Sequence, residues 1–145
     1  MLVEPRGTMS DSVVLSFPRD SRYYAVARLV VGGMAAPLQM SYDALDDLQL
    51  AISSLLDHED LALGAAGSDA GGDVQLKLEV DERQLVAALG SFAPGSLDRA
   101  FDRSAQQGGE MGLRRLLDTI VDDVVVESAD GGEWVTLTKH VKALA

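Results

Sequence analysis

Val74, Leu76, Leu78 and Val80 alternate without a break with Gln75, Lys77 and Glu79. A strict two-residue period makes a strand with one apolar and one polar face. Leu85, Ala87 and Leu89 resume the alternation after a tight connection at Glu82–Arg83, which reads as an antiparallel hairpin. A second pair closes the chain: a strand from Val124 to Ser128, a turn at Asp130, Gly131 and Gly132, and a strand from Trp134 to His140. Near the start, Val13, Leu15 and Phe17 alternate with Val14 and Ser16 before Pro18 ends the run. Strands joined as hairpins form a largely antiparallel sheet, and its apolar face has to be covered by something else.

Helices are the natural cover. The strongest runs from Ser41 to Glu59, with Ser41 as N-cap and Asp43, Asp46 and Asp47 near its start, where the helix dipole favours acids. Leu45, Leu48, Ile52 and Leu55 form its apolar stripe, and Ser54, Asp57 and His58 share a neighbouring face. An earlier helix, capped by Asp20 or Ser21, carries Tyr23, Val26, Ala27 and Val30 and is weakened at its end by Gly32–Gly33, with Pro37 closing the region. A third follows Gly108–Gly109 with Leu113, Leu116, Leu117 and Ile120. Leu61 to Gly72 is a low-complexity loop, and Phe92 to Gln107 reads as a long lid-like loop with a short helical turn at Leu97–Phe101. Residues 1–10 read as a flexible tail and 11–145 as a single domain. The expected fold is α+β, a two-layer sandwich with three helices on one face of a mostly antiparallel sheet, in the order β-α-α-β-β-loop-α-β-β.

Composition narrows the function. The net charge is −11, and the nearest approach to a basic cluster is Arg114–Arg115, which argues against nucleic acid and favours a partner with a basic patch. No apolar run has the length of a membrane span, and the N-terminus has no apolar signal segment. The chain has no cysteine, which excludes disulfides, thiolate metal sites and cysteine nucleophiles and fits a cytoplasmic protein. It also has no asparagine.

Element order and two local patterns, DDLQLAISSLLDH and GGEMGLRRLLDTIVDDVVVESADGGEWVTLTK, carry a resemblance to the anti-sigma factor serine kinases of the RsbW/SpoIIAB type, in the GHKL (Bergerat) ATP-binding superfamily. It covers the chain from Asp11 to Lys139. The resemblance implies a homodimer whose partners are a sigma factor, an anti-sigma antagonist with a serine to be phosphorylated, or both. It also implies a nucleotide site for ATP and Mg²⁺. The family's Glu, which activates the attacking group, aligns with Ser54, and its Mg²⁺-binding Asn aligns with His58. The family's Asp-x-Gly-x-Gly box, whose Asp reads the adenine amino group, aligns with Ser91-Phe92-Ala93-Pro94-Gly95. Gly108, Gly109 and Gly112 match the glycines at the lid end, before a helix N-terminus that suits phosphate.

These matches assign no catalytic residue, metal ligand or cofactor, because serine is a poor base in the place of the Glu, and imidazole in the place of the Asn is a softer ligand than Mg²⁺ prefers, since that ion takes oxygen ligands. Two functions stay open: a regulatory interaction module with an eroded ATP site, and an active serine/threonine protein kinase with an atypical site. Plainer readings stand beside them. His58 with Asp57, Glu59 and Asp60 reads as a solvated helix end rather than a metal site, and Ser53, Ser54 and His58 lack the third group of a hydrolase. His140 reads as surface, Asp122–Asp123 as a helix-to-strand joint, and Trp134 as core or as an occupant of the adenine pocket.

Overall fold

The computed structural model describes residues 2–7, 11–57, 73–81, 83–106, 112–129 and 131–141. The elements are β1 (Leu2–Gly7), β2 (Asp11–Pro18), α1 (Ser21–Ala35), a short 3-10 turn (Ala36–Leu38), α2 (Tyr42–Asp57), β3 (Asp73–Asp81), β4 (Gln84–Phe92), α3 (Ser96–Gln106), α4 (Leu113–Ile120), β5 (Asp123–Ala129) and β6 (Gly132–His140). All six strands join one sheet in the order β1-β2-β3-β4-β6-β5, and every neighbouring pair is antiparallel. The fold is α+β, as the hairpins require.

Alternation places Leu15, Phe17, Val74, Leu76, Leu78, Leu85, Ala87, Leu89, Val135 and Leu137 on the covered face, each at most 1% exposed. Registers Val14↔Lys77, Lys77↔Ala88, Ala88↔Thr136 and Val125↔Thr136 run across the opposite face. The helices supply the cover with Ala27, Val31, Leu48, Ala51, Ile52, Leu55, Leu56, Leu97, Ala100, Leu113 and Leu117.

Local chemistry starts and ends these helices. The Asp20 carboxylate accepts from the Arg22 amide at 2.9 Å and from its guanidinium at 2.9 Å, so Asp20 rather than Ser21 is the cap of α1. Ser41 Oγ accepts from the Ala44 amide at 3.1 Å and caps α2 as its sequence suggests. At the far end of α2 the Leu56 carbonyl, an orphan acceptor of the last turn, takes Arg19 Nε at 2.9 Å and the Tyr24 hydroxyl at 3.3 Å.

Two expectations need correction. Leu2–Gly7, read as part of a flexible tail, is a strand paired with β2, with Pro5 opposite Val13. Proline is accepted there because β1 is an edge strand. The long loop is replaced by the end of β4 and an eleven-residue helix, α3, so the described residues form four α-helices rather than three. Gly32–Gly33 lie in the last part of α1, which ends at Ala35 before the turn that holds Pro37, as expected. The expected loop at 61–72 lies outside the described residues.

Candidate functional site

The positions singled out by sequence fall on three neighbouring elements. Ser54 is half-buried on α2. Ser91 stands near the end of β4, and Gly95 in the turn that leads to α3. Gly112 is the N-cap residue of α4, in extended conformation, and its carbonyl accepts from the Leu116 amide at 2.9 Å. Helix α4 packs against both α2 and α3, so these elements adjoin on the covered side of the sheet. His58, Gly108 and Gly109 lie outside the described residues.

The segment Ser91–Leu97 is tied to β6 and to itself. The register between β4 and β6 shifts between Leu89 and Phe92, where Phe92 pairs with Glu133. Ser91 Oγ lies so close to Gly132 that a Cβ built on that glycine would overlap it. Phe92 is fully buried. The Ala93 carbonyl accepts from the Ser96 amide at 3.0 Å and from Ser96 Oγ at 2.7 Å, and Ser96 is itself fully buried. Gly95 has φ +83°, a conformation glycine adopts without strain, and its carbonyl accepts from the Arg99 amide at 3.1 Å.

That last bond makes Gly95 the cap position of α3, with no side chain to satisfy the free amides. Glu133, on β6, does it instead. Its Oε1 accepts from the Gly95 amide at 3.0 Å and from the Leu97 amide at 3.5 Å. An acid at the positive end of a helix is favourably placed. Sequence reasoning missed Glu133, because nothing local connects it to a turn thirty-six to thirty-eight residues earlier.

A second tie crosses the same layer. Lys139, only 14% exposed, donates from Nζ to the Ile120 carbonyl at the end of α4 at 2.6 Å. The same ammonium lies 3.5 Å from Asp47 Oδ2 on α2. Thus one lysine of the V-T-L-T-K run joins β6, α4 and α2. Trp134 takes neither of its expected places. It is half-buried on the open face of the sheet, over Gly90, with Lys77 Nζ 4.4 Å from the ring centroid. His140 is exposed, and its amide donates to Asp122 Oδ2 at 2.7 Å, so Asp122 works at the joint between α4 and β5. Among the described residues no group of three histidine, aspartate or glutamate side chains is placed to hold a metal ion.

No protein-family model matches the chain. Comparison with known proteins gives a consistent relative. The similarity is to RsbW. The chain is 26% identical over 145 positions to the serine-protein kinase RsbW of Listeria monocytogenes, covering 92% of this chain and 90% of that protein. It is 28% identical to RsbW of Bacillus licheniformis, covering 91% and 87% of the two chains. With RsbW of Bacillus velezensis it shares 27% identity, covering 92% and 88%. The likeness to RsbW therefore extends across helices, hairpins and the Ser91–Gly112 region together. Among the described residues no helix is long and apolar enough to cross a membrane.

Proposed function

We propose that this chain is an RsbW-like regulatory protein, an interaction module of the anti-sigma type that works without a functional ATP site. Its partners are a sigma factor, an anti-sigma antagonist, or both, and it acts as a homodimer. The observation that carries the reading is the state of the Ser91–Gly95 box: its Gly95 amide is taken by the chain's own Glu133, and its serine is packed against Gly132. Ser54 supports it as well, since a half-buried serine is a poor general base in the place of the family's Glu. These residues do not fit a magnesium–nucleotide complex. The fold is nevertheless intact over the length shared with the relatives, which is what a retained binding role requires. The charge of −11 favours encounter with a basic partner surface.

Calorimetric titration with ATP and Mg²⁺ tests the loss of the site. No heat of binding at millimolar nucleotide is expected, and tight, metal-dependent binding would overturn the reading. Co-purification from the native cell tests the partners, and should recover a sigma factor or an antagonist. Light scattering should give the mass of a dimer.

The second reading is an active serine/threonine protein kinase. It is favoured by the relatives' being named serine-protein kinases and by the glycine start of α4 at Gly112. Transfer of phosphate from ATP to a serine of a co-purified antagonist would establish it.

A further inference from the structure

The Ser91–Leu97 segment is folded around an acceptor that comes from elsewhere in the chain. Two amides, of Gly95 and Leu97, converge on one carboxylate oxygen, Glu133 Oε1. The residue at the cap position of α3 is a glycine at φ +83°, so it has no side chain of its own to do the same work. The strand geometry delivers Glu133 to this place. Phe92 pairs with Glu133 across the β4–β6 ladder, and the irregular register before it brings the glutamate beside the turn. On either side of Glu133, Gly132 faces Ser91 and Trp134 lies over Gly90 on the open face, so the end of β6 lies closely along the last residues of β4.

We propose that Glu133 is the built-in occupant of this end of the site, a positioning residue that holds the Ser91–Leu97 segment and the start of α3 where a bound nucleotide would otherwise order them. This rests on reading the region as an eroded nucleotide site. A carboxylate accepting from backbone amides at a helix start forms a charge-assisted bond, stronger than a neutral one. It fixes the turn in one arrangement and keeps its own negative charge there. An incoming anionic ligand has to displace that side chain and meets its charge. Removing the carboxylate therefore does two things at once: it loosens the turn, and it vacates the place.

The test compares the full chain with Glu133→Ala and Glu133→Gln. Circular dichroism and a melting curve establish that each variant is folded, and the isosteric glutamine, which keeps an acceptor oxygen, covers the case in which alanine does not fold. Amide exchange at Gly95 and Leu97 should be about tenfold faster or more in Glu133→Ala, as expected when a bond to a charged acceptor is lost. Exchange at these two amides in Glu133→Gln should lie between the parent and Glu133→Ala, a partial rescue by the retained acceptor oxygen that loosened packing alone does not give. ADP, titrated as the probe, should bind at least about tenfold more tightly to Glu133→Ala than to the parent, with Glu133→Gln between them.

Unchanged exchange at Gly95 and Leu97 would overturn the proposal, and so would faster exchange with no gain in ADP affinity. Failure of the underlying reading looks different: the parent protein itself would bind ATP tightly with Mg²⁺.

Discussion

Gly132 and Gly33 show how differently two glycines are used. A Cβ on Gly132 would overlap Ser91 Oγ and approach the Phe92 carbonyl to 3.1 Å, so close strand packing requires glycine there. Gly132→Ala should cost about 1–3 kcal/mol, the usual range for overpacking, read from the urea midpoint. Gly33 is exposed within α1, and a Cβ there would meet nothing within 4 Å. Gly33→Ala should stabilise by about 0.5–1 kcal/mol in the same assay, because alanine loses less backbone freedom in a helix. Tyr24 gives a pH prediction. Burial, its largest influence, pushes its phenol above the ordinary value of 10.0. The folded state therefore holds the proton that the unfolded chain releases first. The stabilisation is complete below pH 10 and is lost as pH rises through the raised value. The urea midpoint should fall across that window in the parent protein and fall less in Tyr24→Phe.

At the scale of elements, α2 shows which part of a helix reading survives folding. Leu48, Ile52 and Leu55 of its stripe are buried as their spacing predicts, while Leu50 is 46% exposed. Leu55→Ala should cost about 2–5 kcal/mol, because it leaves a cavity in a packed core. Leu50→Ala should stay within about 0.5 kcal/mol, and paired urea titrations check both. Helix α3 shows where such a reading fails. Leu97, Ala100 and Phe101 are correctly spaced for a helix, yet Pro94–Gly95 and the mixed charges that follow look like loop. What sets its start is Glu133, supplied by a strand far along the chain. Strand β1 fails for a related reason: with Pro5 and Gly7 in it, its own pattern says tail, and only its pairing with β2 makes it a strand.

Across the whole molecule, Lys139 is the clearest long-range tie. It links the last strand to the end of α4 and to Asp47 on α2 while almost out of water. Lys139→Met keeps most of the stem but leaves the Ile120 carbonyl without this donor. The expected loss is about 1–3 kcal/mol, the range for an unsatisfied buried group, measured by urea unfolding. What the sequence by itself determined was the α+β class, the hairpins and the apolar face of α2. Each follows from a repeat of two or of three to four residues, and such periods are local and fixed by backbone geometry. It also singled out Ser54, Ser91, Gly95 and Gly112, which lie on adjoining elements. Only the tertiary structure decided that Glu133 serves the turn before α3, that Lys139 serves α4, and that Trp134 lies on the open face beneath Lys77. These are meetings of residues far apart in sequence or on different strands. They are set by strand register and layer packing, and no short-range pattern encodes them.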